Sequence, residues 1–298
     1  MTTDFLEEVA SRRDRAIFTL SAFADEISSD LDEQLTHLEQ EGISSLEFRG
    51  VNGKNVLDLS NAELKQIDQT LKQHGFTVSA IGSPIGKIPI TEPFEPHIVR
   101  FERALEVADW LGSSYVRIFS FFMPPAAPSE DPASLYQKYR PEVMRRMNQF
   151  ADIVMPYGMI LLHENEKGIF GDTPERCADI LQTVGSTNLR ATFDPANFVQ
   201  CGVKPFSEAY PLLADQITYV HIKDAFFNDG RVVVAGEGEG EVADVLQALW
   251  QRGYQGYLSL EPHLAAAGEF SGFSGPELFH QAAQALKKLL AQIEVSAT

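Results

Sequence analysis

Four side chains able to do chemistry stand at regular intervals in the second half of the chain. Glu164, Asp194, His221 and Glu261 are separated by 30, 27 and 40 residues. Each closes a short run of apolar, β-branched or aromatic residues: ILLHEN from Ile160, LRATFDP from Leu189, ITYVHIKD from Ile217 and GYLSLEP from Gly256. Side chains alternate across a strand. If Leu258 and Leu260 point outward, Ser259 and Glu261 point inward, and the same parity turns Asp194, His221 and Glu164 inward while sending His163 out. Three carboxylates gathered in one place repel one another and raise each other's pKa unless a cation compensates. Three oxygen donors and one nitrogen suit a single divalent ion, Mn²⁺ first, with Mg²⁺ or Co²⁺ as alternatives. Zn²⁺ is less favoured by so many oxygens.

These runs belong to a longer series. IFTLSAF from Ile17, SSLEFRG from Ser44, TVSAIGS from Thr77 and YVRIFS from Tyr115 precede them, making eight strand candidates at intervals of 27 to 45 residues. Segments of helical period lie between. DLDEQLTHLEQEG places Leu31, Leu35 and Leu38 on one face before Gly42, and NAELKQIDQTLKQHG does so with Leu64, Ile67 and Leu71 before Gly75. Eight strand–helix units of this size predict an α/β fold, a single (β/α)8 TIM barrel over residues 16–298, with residues 1–15 as an N-terminal extension at the barrel bottom. A doubly wound open sheet is the alternative, but it calls for a glycine-rich phosphate turn after the first strand, where ADEISSD stands instead. GEGEGE at 236–241 reads as a loop, since its glutamates oppose a phosphate. FMPPAAPSEDP, after the fourth strand, reads as a lid or rim loop on the catalytic side.

Further polar residues share the inward parity. Lys223 is expected at the rim of the site, where it could hold a substrate hydroxyl, carbonyl or phosphate or else turn to solvent, and His263, two residues past Glu261, is a further substrate-binding candidate. Glu47 and Arg49 face inward on the second strand, where burial is costly unless they meet a polar ligand, which makes Glu47 a substrate-binding candidate, or pair with each other, the expected account. Arg117 on the fourth strand and Glu166 after the fifth are candidates to meet substrate. Phe121, Phe122, Phe198, Phe226 and Phe227 follow strand ends and could stack on a ligand, close a lid, pack loops or form the surface of a homo-oligomer.

The formal charge is −18, from 24 Lys and Arg against 42 Asp and Glu, which opposes nucleic acid as a partner. No run is apolar enough to span a membrane and the first fifteen residues do not resemble a signal peptide, so a cytoplasmic protein is expected. Cys177 and Cys201 lack the spacing of a zinc or redox site and read as packed thiols.

The segments HENE, FDPAN, VHIKD and SLEPH, together with ADEIS, SLEFRG and GEGEGEVADVLQAL, resemble the xylose-isomerase-like TIM-barrel superfamily of sugar (phosphate) isomerases and epimerases over residues 16 to 293. The resemblance implies one divalent ion held by Glu164, Asp194, His221 and Glu261, and a sugar or polyol substrate. It also implies Glu164 and Glu261 as base and acid in a proton transfer through a metal-stabilised enediolate. Asn197 stands where ketose 3-epimerases of the group commonly carry a histidine; it can bind a hydroxyl but cannot exchange a proton near neutral pH. The endonuclease IV branch needs further histidines, one of whose places Asn197 takes. HIKD with its lysine equally resembles the superfamily's dehydratases, so a lyase acting on a keto-polyol, or a subunit cleaving a C-glycoside, is the alternative. A non-catalytic sugar-binding barrel is the third reading.

Overall fold

A computed structural model describes residues 16–126, 131–267 and 272–293. The N-terminal extension expected at 1–15 and the centre of the proline-rich loop lie outside them. Eight strands form one parallel sheet: β1 (Ile17–Ala22), β2 (Ser45–Phe48), β3 (Thr77–Ile81), β4 (Tyr115–Ile118), β5 (Ile160–Glu164), β6 (Leu189–Phe193), β7 (Ile217–Ile222) and β8 (Gln255–Leu260). They neighbour one another in chain order, and β8 pairs with β1. The remaining seam, between β1 and β2, is joined by a single bridge of Phe23 to Glu47, so the sheet closes into the expected TIM barrel. All eight sequence runs became strands, with starts displaced by one residue at most.

Helices cover the outside: α1 (Leu31–Gln40), α2 (Asn61–His74), α3 (Glu95–Leu111), α4 (Pro132–Val154), α5 (Pro174–Val184), the short α6 (Pro195–Gln200), α7 (Val242–Gln251) and α8 (Gly275–Gln292). Local chemistry sets their ends. Asp30 accepts from the Glu33 amide at the start of α1, and Ser60 with Glu63 forms a capping box on α2. Leu35 and Leu38 of α1, and Leu64, Ile67 and Leu71 of α2, are buried as the helical period required. Gly75 ends α2 in the left-handed conformation. No helix among the described residues is long and apolar enough to cross a membrane.

Inside the barrel the lining is graded. Tyr115, Ile160, Leu162, Tyr219 and Tyr257 pack together as an apolar plug. The Tyr219 hydroxyl then meets Ser79 Oγ at 2.8 Å, and Ser79 Oγ meets Ser21 Oγ at 2.6 Å. Beyond this hydroxyl layer, at the C-terminal ends of the strands, lie the charged groups.

Loops after β3, β4 and β5 lace together into one wall of the mouth. Phe119 N and Phe121 N donate to Ile85 O and Gly86 O, Ile90 N donates to Phe122 O, and Met123 N donates to Gly168 O. Gly86 has φ +92°, and a Cβ there would lie 2.0 Å from Phe119 O. His97 Nε2 accepts from the Gly86 amide at 2.7 Å. Burial, with Arg100 and Arg146 nearby, lowers the His97 pKa to about 4.

Two outcomes follow from this wall. Gly86→Ala forces backbone apart and strains a positive φ, and should destabilise by about 3 kcal/mol or more in urea unfolding. His97 folds neutral, so its contribution is present above its unfolded pKa of 6.5 and is lost as pH falls towards about 4. Wild type should lose about 2 kcal/mol through this group between pH 7 and 5, and His97→Gln, which cannot titrate, should lose that much less over the same interval.

Candidate metal centre

Strand ends deliver the four spaced side chains to one place. One ligand atom from each of Glu164, Asp194, His221 and Glu261 lies within 4.8 Å of all the others, and all four residues are buried. Asp194 caps α6, its Oδ1 accepting from the Asn197 amide at 2.9 Å, which leaves Oδ2 facing the cluster. A reciprocal pair of bonds, Asn165 Nδ2 to Asp194 O and Asp194 N to Asn165 Oδ1, ties the β5 and β6 ends together. His221 Nδ1 is the inward nitrogen, 3.0 Å from Glu164 Oε1, 3.6 Å from Glu261 Oε2 and 4.0 Å from Asp194 Oδ2. Its Nε2 lies 3.1 Å from Glu47 Oε2, with both side chains fully buried.

Three permanent cations interleave with the acids. Arg117 Nη1 is 3.1 Å from Glu164 Oε2 and 3.5 Å from Glu261 Oε1. Lys223 Nζ is 2.9 Å from Asp194 Oδ2 and 3.1 Å from Glu261 Oε2. Arg49 spans Asp25, Glu26 and Glu261 at 2.8, 3.3 and 3.2 Å. The fully buried Phe23 ring stands under both guanidinium groups, 4.6 Å from Arg49 and 4.8 Å from Arg117, and edge-on to His221.

The acids are not equivalent. Burial alone would raise Glu164, but the charges of His221 and Arg117 outweigh it and hold its carboxyl at about 2. Glu261 is likewise held well below the carboxylate range, against burial, by Lys223, His263, His221 and Arg117. Asp194 goes the other way, to about 6, because burial and the charges of Glu164 and Glu261 outweigh Lys223. Although Lys223 Nζ is close, Asp194 Oδ2 makes no hydrogen bond of acceptable geometry. A buried carboxylate oxygen of this kind, beside two further carboxylates and an imidazole nitrogen, fits the donor set of a divalent cation.

Two expectations need correction, the pairing of Glu47 with Arg49 and the rim position of Lys223; the other candidates are placed by the contacts they make. Glu47 and Arg49 do not pair: Glu47 turns to His221, and Arg49 reaches Asp25, Glu26 and Glu261. The bridge at the β1–β2 seam and the irregular β2–β3 register at Leu46/Glu47 place them against partners from other strands. Lys223 is not at the rim but buried among the acids, because its strand neighbour positions it between Asp194 and Glu261. Asn197, considered for a substrate hydroxyl, directs its amide nitrogen to Glu164 Oε1 at 3.2 Å and Asn165 O at 2.9 Å. His263, at φ +46°, has Nε2 2.9 Å from Glu26 Oε1 and 3.6 Å from Glu261 Oε1. Glu166 pairs with Lys87 at 2.9 Å, and that ammonium lies over the Phe119 ring. Phe121 and Phe198 are fully buried packing residues, whereas Phe227 is partly exposed.

Asp25, Glu26, Lys87 and Phe23 were not singled out from the sequence. They sit in loops, where parity gives no direction; the position of ADEIS directly after β1 was the available signal.

The Glu47 carboxylate fixes which nitrogen of His221 faces inward, as an outer carboxylate does for a metal-bound imidazole. Glu47→Gln, which keeps the shape and removes the charge, should weaken Mn²⁺ binding by about 10- to 100-fold in isothermal titration. Equal affinity would remove Glu47 from the centre.

Comparison with known proteins agrees with this fold. A family model described as a xylose isomerase-like TIM barrel matches residues 35–289. An uncharacterized protein of Methanocaldococcus jannaschii is 28% identical over 166 residues, 53% of this chain and 54% of that one, so the chain spans about half the length of this relative. Among solved structures, a D-tagatose 3-epimerase-like protein superposes with a TM-score of 0.72 at 19% identity, covering 93% of this chain and 98% of that one. A probable 3-DHS dehydratase involved in petrobactin synthesis, from Bacillus anthracis, gives 0.71 at 16% identity over 91% and 98%. The IOLI protein with a bound zinc atom gives 0.66 at 19% identity over 93% and 98%. Strand order, barrel closure and the match over most of the chain lead to one conclusion: the protein belongs to the xylose isomerase-like TIM-barrel family.

Proposed function

We propose that the protein is a divalent-metal-dependent enzyme that moves a proton next to the carbonyl of a sugar or polyol, as an isomerase or epimerase. The observation that carries this reading is the convergence of Glu164, Asp194, His221 and Glu261 within 4.8 Å at the mouth of a barrel. Active sites of this fold sit at the C-terminal ends of the strands. A divalent ion held by these four residues supplies Lewis acidity to a carbonyl and its neighbouring hydroxyl. Mn²⁺ best suits three oxygens and one nitrogen, with Mg²⁺ or Co²⁺ as substitutes.

Glu164 and Glu261 are the proton carriers in this reading. Both are held ionised by their cationic neighbours, so each enters the reaction as an acceptor. In an isomerisation the carboxylate that takes the proton returns it to the neighbouring carbon on the same face; in an epimerisation the other carboxylate, once it has taken a proton from solvent, delivers it to the opposite face of the same carbon. Arg117 touches both carboxylates and holds them in position. Asn197, donating to Glu164 Oε1, helps set the direction of that carboxylate.

A second reading is a lyase, in which the ammonium of Lys223, buried between Asp194 and Glu261, would have to give a proton to a departing β-hydroxyl. The similarity to both an epimerase-like protein and a probable dehydratase is compatible with either chemistry.

Mn²⁺-loaded protein should introduce deuterium from D₂O into a responsive ketose without loss of mass; loss of water from the product would move the assignment to the lyase. Glu261→Gln should reduce exchange by about 10²- to 10⁴-fold and weaken metal binding, and unchanged exchange in that variant would refute its role.

A further inference from the structure

We propose that Phe23 and Phe119 are positioning residues of the centre: their ring faces hold the Arg117 guanidinium, and through it set the Glu164 and Glu261 carboxylates relative to each other. The inference rests on the proton transfer proposed above and adds the groups that align its two carriers.

Arg117 joins those carriers, yet its own polar contacts hold it loosely. Nη1 lies 3.1 Å from Glu164 Oε2 and 3.5 Å from Glu261 Oε1. The rest of the guanidinium donates to backbone, Nε to Ser83 O at 3.4 Å and Nη2 to Gly82 O at 3.3 Å. All but the first of these distances exceed about 3.2 Å, the upper end of the usual range for an N–H···O bond. A group so bonded can swing towards either carboxylate.

What restrains it is aromatic. The Arg117 guanidinium carbon lies 4.8 Å from the centre of the Phe23 ring and 5.0 Å from that of Phe119. Each ring carries a further cation, Arg49 over Phe23 at 4.6 Å and Lys87 over Phe119 at 4.4 Å. Cations and rings therefore alternate across the mouth in the order Arg49, Phe23, Arg117, Phe119, Lys87. Acids anchor the ends of the series: Asp25 and Glu26 hold Arg49, and Glu166 holds Lys87. An aromatic face attracts a cation through its quadrupole, most strongly where water is excluded, and both rings are fully buried. The attraction adds no formal charge to a mouth already crowded with carboxylates. An acid in place of either ring would compete with Glu164 and Glu261 for the same guanidinium.

The loop 82–87, directly after β3, seats this series. A Cβ on Gly82 would stand 2.7 Å from Phe23 Cε1 and 3.1 Å from Arg49 Cβ, so the ring occupies space that any other residue would fill. Gly82 O and Ser83 O take the Arg117 donors, and Ile85 O accepts from Phe119 N at 2.7 Å. Lys87 N donates to Pro84 O at 2.9 Å, a turn that ends with the lysine over Phe119. One short segment thus touches every member of the series, which packing chosen only to fill volume does not require.

The test grades the attraction of the ring for a cation while keeping its shape, since Phe119→Leu also removes buried packing. Mono-, di- and trifluorophenylalanine are incorporated at position 119 of the full chain. The same series at Phe101, fully buried in α3 against Phe150, is the control. Two quantities are read. Rotation of the Arg117 guanidinium about its Nε–Cζ bond is followed by NMR on Mg²⁺-loaded, ¹⁵N-arginine-labelled protein, with the signal identified by its loss in Arg117→Lys. Deuterium uptake from D₂O into D-fructose and D-xylulose by Mn²⁺-loaded protein gives kcat and KM. Each added fluorine at 119 should speed the rotation and lower kcat, by about tenfold with three fluorines, while KM changes by less than about twofold. The Phe101 series should change neither quantity. Rotation and kcat that ignore fluorine content at 119 would reduce the ring to packing and overturn the proposal, and so would faster rotation at constant kcat. A wild-type protein that introduces no deuterium into either ketose overturns the proton-transfer reading instead, and the rotation series still decides whether the ring holds Arg117.

Discussion

An excess of buried carboxylate at one end of a closed barrel is the constraint around which the structure is arranged. Isolated charges of this kind cannot be buried without partners, and removing one member of a buried pair costs about 3 to 5 kcal/mol. The chain meets the constraint by alternation around the ring. Glu47, Glu164, Asp194 and Glu261 come from β2, β5, β6 and β8, and Arg49, Arg117 and Lys223 stand between them at the ends of β2, β4 and β7. Each cation touches at least one acid from another strand, so the charges bind the barrel mouth together across long sequence separations. Phe23, fully buried, adds a ring face to both guanidinium groups where a further charge would worsen the balance.

The same constraint explains the backbone around the mouth. Loops that carry charge must be held by other loops, because their own sequence supplies no regular hydrogen bonding. The strip made by the loops after β3, β4 and β5 does this on one side, and on the other Asp224 does it, its carboxylate accepting from the Gly236 and Gly240 amides. Close approach makes glycine necessary at Gly86 and Gly238, where a Cβ would enter Phe119 O or Asp224 Oδ1. Below the charged ring, the hydroxyl layer of Ser21, Ser79 and Tyr219 separates it from the apolar plug without leaving the tyrosine hydroxyl unpaired.

What was legible in the sequence follows from periodicity. Strand alternation assigned an inward direction to Glu164, Asp194, His221 and Glu261, and even spacing put them on successive strands; the structure brings these four together. The eight strands and the first two helices were legible for the same reason, since apolar period and capping residues are local properties. Partner choice was not. Arg49 meets Glu261 across 212 positions, and nothing local distinguishes that partner from its neighbour Glu47. Lys223 shows the limit of parity, which gave its direction but not its depth between two carboxylates. Asp25 and Glu26 were passed over because they follow a strand instead of lying in one, where no rule of alternation applies.

The position of Lys223 also bears differently on the two proposed chemistries. Between Asp194 and Glu261 its ammonium is held well above its ordinary pKa, against burial, by Asp194, Glu261 and Glu164. Such a lysine is a persistent charge and a poor base. It steadies Glu261 as an anion, which favours a carboxylate that removes a proton and later returns it. For an elimination the same ammonium must surrender a proton, and the two carboxylates that hold it charged make that step harder. Depth of burial alone therefore does not make Lys223 a catalytic acid. Its contacts weigh towards the reversible proton transfer, in which the lysine positions a carboxylate and keeps its own proton.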